Sequence, residues 1–230
     1  AGTELLGDSI LDLNRGNTLF LNGSDKAPIG VFSEYRADNA VAYVSPKFAG
    51  FTFIGAFIPG EDREGDKKIK EGDSAADHYS AGLIFGTNAF KASAGYQRTK
   101  VADVKQKIWQ IGGSVDLFDA FKIGAHYENA KNFGQVDDLD YDAWAIIGKG
   151  SFGNNALMAV YTNADADGKD KSGVDYDGWG VGAEHNFSKR TKAYIAYASA
   201  DVGDAKFDFD DFDIDGGDDK VWSLGMIHSF

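Results

Sequence analysis

The chain has 230 residues and a formal net charge of −13, with 36 acidic against 23 basic side chains. This acidic balance argues against nucleic acid as a partner, because phosphate backbones are bound by basic patches. The absence of cysteine excludes a disulfide framework, a thiolate metal site and a cysteine nucleophile.

Composition favours strands over helices. There are 29 Gly, 17 Phe, 10 Tyr and 4 Trp but only 3 Pro, a mixture that suits many strands joined by turns. No segment approaches the roughly 20 apolar residues of a membrane-spanning helix. The mean hydropathy of −0.32 is typical of a soluble protein, but strands that expose apolar side chains only at alternate positions give the same low mean.

From residue 39 onward the sequence divides into about eleven segments of the length and alternation expected of tilted membrane strands. The predicted strands are 39–46, 50–59, 78–86, 90–100, 105–117, 120–131, 141–151, 155–164, 176–187, 191–201 and 219–230.

Short and long connections alternate along the chain. The short turns are 46–50, 86–88, 116–119, 153–155 and 188–191; the longer, mostly acidic loops are 60–77, 132–140, 165–175 and 202–218, with a short one at 101–104. Turns on one rim and loops on the other predict an all-β fold, an antiparallel up-and-down transmembrane β-barrel. A soluble all-β domain remains the alternative.

The two faces of the predicted strands differ in chemistry. Phe121, Ile123 and Tyr127 alternate with Lys122, His126 and Glu128, and within 121–128 and 178–187 charge occurs only on the face that carries small residues. A small closed core would bury those charges without partners, whereas a water-filled lumen would not. The side chains predicted to face the lumen are Lys91, Gln97, Lys122, His126, Glu128 and Glu184.

Aromatic residues lie near many predicted strand ends, as in the girdles of membrane barrels. The predicted girdle residues are Phe48, Phe51, Tyr79, Phe85, Phe90, Phe118, Phe121, Tyr141, Phe152, Phe187 and Phe230. The terminal segment 220–230 places Trp222, Leu224, Met226 and Phe230 on one face, with His228 as the single irregularity.

Catalytic and metal-binding patterns are weak. His126 and Glu128 share a face, but no local motif supplies a nucleophile. Residues 163–168 imitate the start of a calcium loop, yet Val174 stands where a bidentate Glu is required. The acidic run 208–219 fits a solvated loop better than a cation site. We predict no enzyme activity, cofactor or metal.

Three stretches resemble the general diffusion porins of Gram-negative outer membranes: 36–46 followed by 48–51, then 187–191 with 194–197, and the terminal strand 220–230. The resemblance implies a trimeric barrel of sixteen strands in the bacterial outer membrane. In that family the strand resembling 36–46 follows the third loop, which narrows the pore. The resemblance therefore divides the chain into a pore-constricting loop, 1–38, and barrel strands, 39–230.

In such a loop, acidic side chains face basic ones across the pore. The resemblance implies that the constriction contains Asp8, Asp12, Asp25, Glu34, Arg15 and Arg36. Because the family's third loop follows the fifth strand, the resemblance also implies that five strands precede the eleven seen here. No secretory leader is recognisable at Ala1, so we expect the sequence to start as a mature protein or after a lost upstream segment.

The function that the resemblance implies is passive diffusion of small hydrophilic solutes and ions. The acidic excess adds an expected mild preference for cations. The expected partners are membrane lipid, lipopolysaccharide, the permeating solutes and two further copies of the chain. A non-conducting barrel with a structural or surface-recognition role remains the alternative.

Overall fold

A computed structural model of the chain describes residues 40–58, 78–101, 104–118, 120–133, 136–168, 171–203, 205–206, 213–214 and 217–229. Within these ranges no helix is long and apolar enough to span a bilayer. The strands are β1 Val41–Val44, β2 Phe51–Phe57, β3 Tyr79–Gly86, β4 Phe90–Val101, β5 Val104–Leu117, β6 Phe121–Lys131, β7 Leu139–Phe152, β8 Asn155–Gly168, β9 Lys171–Asn186, β10 Thr191–Val202, β11 Ala205–Lys206, β12 Asp213–Ile214 and β13 Gly217–His228.

Eleven of these strands form one antiparallel sheet in the order β1-β2-β3-β4-β5-β6-β7-β8-β9-β10-β13. Each strand pairs with the next in the chain, except that β11 and β12 form a separate two-stranded ladder between β10 and β13. Within the described residues, β1 and β13 are the two edges of the sheet. The predicted up-and-down order of about eleven strands is confirmed.

The prediction of a long loop at 165–175 is wrong. Strand β8 continues to Gly168 and β9 begins at Lys171, with Asp165 opposite Asp175 in the ladder. The prediction failed because the segment is rich in aspartate and glycine, which are depleted in strands and common in loops. The antiparallel pairing of β8 with β9 continues through this polar stretch, with a register shift between Ala166 and Gly168.

The turn before β2 shows how short connections are made. Phe48 and Phe51 exchange backbone hydrogen bonds of 2.8 Å, and the two residues between them, Ala49 and Gly50, have φ angles of 48° and 89°. Two positive φ angles are characteristic of a type I′ turn, whose twist matches that of the flanking strands. At Gly50 an added Cβ would lie 2.8 Å from the ring of Phe85, so glycine is required there.

Burial alternates along the strands because successive side chains point to opposite faces of a sheet. In β8 the even-numbered residues from Ala156 to Ala166 are buried, whereas most of the odd-numbered ones are exposed. We call the face with the buried side chains the inner face and the opposite one the outer face. The buried cluster lies mainly on the inner face of β5 to β10.

Candidate functional site: the two faces of the sheet

The outer face is a continuous apolar surface exposed to its surroundings. Its residues include Val41, Phe53, Leu83, Ile111, Ile123, Ile146, Leu157, Val181, Ile195 and Leu224, which are 45–80% exposed. Exposed apolar patches of this extent are rare on soluble monomers and mark a membrane or protein contact. In an up-and-down sheet, such a surface is the lipid-facing band of a membrane barrel.

A girdle of Trp and Tyr bounds this surface at the end of the sheet where the long loops lie, which we call the loop end. The rings contact each other across strand pairs: Trp109 with Tyr127, Trp144 with Tyr161, Trp179 with Tyr197 and Tyr197 with Trp222, at centroid distances of 4.7–5.4 Å. Several polar tips are satisfied within the sheet. Trp109 Nε1 donates to Asn129 Oδ1 at 2.9 Å.

A second girdle, made of Phe, bounds the surface at the opposite or turn end. Phe51 contacts Phe85 at 4.7 Å, and Phe121 contacts Phe152 at 5.8 Å between ring centroids. In β7, Trp144 and Phe152 belong to the two girdles. Eight residues span about 26 Å along a strand and about 20 Å along the normal of a tilted one, close to the apolar thickness that a membrane barrel presents.

The girdle prediction was partly right. Phe51, Phe90, Phe121, Phe152 and Phe187 are exposed beside the turns as expected. The prediction that Tyr141 belongs to a girdle is wrong, because this residue lies on the inner face and is 9% exposed. Phe230 lies outside the described residues.

Sequence reasoning missed most of the Trp and Tyr girdle. Tyr127, Trp144, Trp179 and Trp222 are interior to their strands by number, and only the register aligns them across the sheet. The signal that could have found them is the fixed spacing of about eight residues between a Trp and the Phe near the turn, as in Trp144 and Phe152 or Trp179 and Phe187.

Carboxylates accept hydrogen bonds from the Tyr girdle on its loop-end side. Tyr127 Oη and Asn129 Nδ2 donate to Asp142, and Tyr161 Oη donates to Asp177. The polar tips of the girdle therefore point away from the apolar band, as amphipathic aromatics do at a membrane interface. Within the described residues no group of three or more His, Asp or Glu side chains is arranged to hold a metal ion.

All six side chains predicted to face the lumen lie on the inner face. Lys91, Gln97, Lys122, His126, Glu128 and Glu184 share that face through the pairings of Lys91 with Ser114, Gln97 with Ile108, Glu128 with Gln110, and Glu184 with Ala156. Lys122 on β6 pairs with Lys149 on β7, and Lys149 pairs with Met158 on β8. The inner-face positions of β4 to β6 therefore lie on the same side of the sheet as those of β8 and β9.

The predicted inner-face residues differ in exposure. Glu128 is 0% and His126 is 3% exposed, and Gln110 Nε2 donates a hydrogen bond to the Glu128 carboxylate. Lys91 is exposed, and the Lys122 side chain is 26% exposed. The lysines of this face are therefore accessible at the turn end, whereas Glu184 at that end is buried, as are Glu128 and His126 towards the middle.

The middle of the inner face is less polar than the pattern in β4 and β6 suggested. In β7 and β8 it carries Ile147, Met158 and Val160, all buried, and in β9 and β10 it carries mainly glycine and alanine. These small side chains project little from the inner face. At Gly178, for example, an added Cβ would lie 2.6 Å from Tyr176 Oη.

Sequence reasoning also missed inner-face charges at the turn end. Lys149, Lys192 and Asp116 belong to the same group as the predicted Lys122 and Glu184. The alternation of their own strands was the available signal. Predicted constriction residues Asp8, Asp12, Asp25, Glu34, Arg15 and Arg36, and with them the loop 1–38, lie outside the described residues.

Comparison with known proteins points in one direction. A family model described as Gram-negative porin matches residues 4–205. An outer membrane porin protein of Bordetella pertussis is 26% identical over 231 aligned residues, which cover 90% of this chain and 53% of that protein. The chain thus spans about half the length of this relative.

Solved porin structures share the fold. An anion-selective porin from Comamonas acidovorans has a TM-score of 0.65 at 18% identity, covering 90% of this chain and 63% of that one. OmpT of Vibrio cholerae in a trimer form has a TM-score of 0.60 at 17% identity, covering 82% of this chain and 64% of that one. These likenesses confirm the predicted antiparallel barrel fold.

Proposed function

Because this chain belongs to the Gram-negative porin family of the bacterial outer membrane, we propose that it forms a passive diffusion channel for small hydrophilic solutes and ions. Family membership indicates a channel rather than an enzyme. The structural observation that carries the proposal is the contrast between the faces: an exposed apolar band between two girdles outside, and partly exposed lysines with the Asp116 carboxylate inside.

We propose that residues 1–38 narrow the pore, with Asp8, Asp12, Asp25 and Glu34 opposite Arg15 and Arg36. This assignment is supported by the resemblance of segment 36–46 to the strand that follows the constricting loop of general diffusion porins. Opposed charges of this kind orient dipolar solutes across a pore.

The charge balance supports a mild preference for cations. The chain carries a net charge of −13, and a charged channel concentrates counter-ions at its mouth. The preference is mild because the inner face also presents lysines.

The protein acts as a homotrimer embedded in lipid, with its loops against lipopolysaccharide. The trimer form of OmpT, a structure with the same fold, supports this assembly. The exposed apolar side chains on the outer face of β1 to β3, such as Tyr43, Phe53 and Leu83, supply a surface that lipid or a neighbouring copy can cover.

Recording from the purified protein in a planar bilayer tests both conduction and selectivity. We expect discrete current steps and, under a tenfold KCl gradient, a reversal potential of the sign set by potassium but well short of ideal selectivity. A chloride-favouring potential would contradict the cation preference. Folded protein without current steps would favour the alternative of a non-conducting surface barrel.

A further inference from the structure

Five lysines gather at the turn end of the inner face, and we call them the lysine belt: Lys47, Lys91, Lys122, Lys149 and Lys192. Lys91 lies opposite Gly86 and Ser114, and Lys122 lies directly opposite Lys149. Lys47 reaches the same face from the first turn, because its Nζ lies 3.9 Å from the position that a Cβ on Gly86 would occupy.

Two carboxylates within this end of the face balance the belt only partly. Lys122 Nζ lies 3.3 Å from Asp116 Oδ1. Glu184 serves two lysines, because Lys192 Nζ donates to its Oε1 at 3.0 Å and Lys149 Nζ lies 3.9 Å from its Oε2. Among the described inner-face residues of this end, five lysines face two carboxylates, which leaves an excess of three positive charges.

The arrangement has an energetic cost when no anion is present. Like charges directly opposite each other on neighbouring strands destabilise a sheet, and Lys122 and Lys149 occupy such a pair. Their side chains are each 26% exposed and that of Lys192 is 20% exposed. Partial burial weakens the screening of these charges by salt, so their field acts on a nearby anion more strongly than that of fully exposed lysines.

The ammonium groups remain able to bind a ligand. A lysine ammonium has three donors, and a single carboxylate contact uses one of them. Lys91, which is exposed, has no carboxylate partner in the part of the chain that the structure describes. Rings of basic side chains are the means by which pores attract anions and phosphate groups.

We propose that the lysine belt is a low-affinity binding site for small multivalent oxyanions at the turn-end mouth of the pore. The ligand class follows from the geometry, because Lys122 and Lys149 lie opposite each other on neighbouring strands, and Lys149 and Lys192 share Glu184. Two such neighbouring ammonium groups are matched by two negative oxygens on one small solute. The proposal rests on the proposed channel function and deepens it. The belt is also the reason why the cation preference of an acidic channel stays mild.

Single-channel recording in KCl with inorganic phosphate as the probe tests the site. Phosphate added to one compartment reduces the current of the native channel in a saturable way, with a stronger effect from the turn end. The double variant K122Q/K149Q raises the half-blocking phosphate concentration about fivefold or more. It also shifts the reversal potential towards the equilibrium potential of potassium, because two positive charges are removed from the pore. If the double variant does not fold, Lys91→Gln replaces it in the test, because Lys91 is exposed and has no ion pair among the described residues. This variant also raises the half-blocking phosphate concentration.

Two further variants sharpen the test. Glu184→Gln releases Lys149 and Lys192, so it lowers the half-blocking concentration, the opposite of the effect of the double variant. The control K220Q removes one charge, as Lys91→Gln does, from a side chain that is 58% exposed on the outer face, and it leaves the block unchanged.

The outcomes separate the belt from the channel. Current steps with no phosphate block, or with equal block in native protein, K122Q/K149Q and K220Q, overturn the belt and leave the channel standing. A folded protein without current steps overturns the proposed function together with the belt.

Discussion

At the residue scale, Gly225 shows how the terminal strand is fitted to its neighbour. It lies opposite Tyr194 in the ladder between β10 and β13. A Cβ at this position would approach Tyr194 Cζ and Oη to 2.6 Å, so the tyrosine ring lies across the space that glycine leaves open. This packing on the inner face ties the last strand of the sheet to β10.

Substituting Gly225→Ala should destabilise the sheet, because the tyrosine ring must move away. Overpacking of this kind costs about 1–3 kcal/mol. Urea unfolding in detergent micelles, followed by tryptophan fluorescence, measures the change.

Gly148→Ala is the matched control for that experiment. A Cβ at Gly148 meets nothing within 4 Å, so the free energy of unfolding should stay unchanged or rise slightly. Equal losses in the two variants would show that the Tyr194 contact does not determine the effect.

At the scale of elements, the aromatic residues of different strands form two girdles, and the register between strands aligns them. Each tryptophan of the chain, Trp109, Trp144, Trp179 and Trp222, lies on the outer face within the loop-end girdle. Amphipathic aromatic rings prefer the membrane interface to the centre of the bilayer. The depth of the tryptophans therefore reports how the barrel sits in the membrane.

Reconstitution into brominated lipids should quench tryptophan emission according to depth. We expect stronger quenching when bromine is near the headgroup end of the acyl chain than when it is near the bilayer midplane, since all four indoles lie at one interface. Unbrominated lipid gives the reference intensity. Emission that is insensitive to bromine at any depth would place the indoles away from lipid and contradict the assignment of the outer face.

The alternation of single strands predicted much of this organisation. The face of Lys122, His126 and Glu128 could be identified from β6 alone, because a charged residue cannot share a face with Phe121 and Ile123 in lipid. The extent of β8 and β9 could not, since Asp165 and Asp175 are strand residues only by virtue of the ladder that holds them. Local composition does not encode cross-strand pairing.

The candidate site was predictable to the same degree. Lys122 and Glu184 were found from their own strands, but their association with Asp116, Lys149 and Lys192 depends on register between strands. The burial of Glu128 and His126 depends on the packing of the whole inner face, which alternation alone does not describe.

At the scale of the whole molecule, charge is distributed along the axis of the barrel. Carboxylates such as Asp142 and Asp177 lie beyond the aromatic girdle at the loop end, whereas the lysine belt lies at the turn end. Because Asp142 and Asp177 lie on the outer face with Tyr127 and Tyr161, they contribute to the charge of the loop-end rim, whereas the lysine belt lies in the path of a permeating solute. Ion selectivity therefore depends on the inner-face charges, while permeation of uncharged solutes depends on pore size alone.

Osmotic swelling of liposomes that contain the purified protein tests the central claim, passive and size-limited diffusion, without reference to charge. We predict rapid swelling in a pentose or hexose and progressively slower swelling in di- and trisaccharides, because a fixed pore excludes solutes by size. Swelling no faster than that of protein-free liposomes with every sugar would contradict the account.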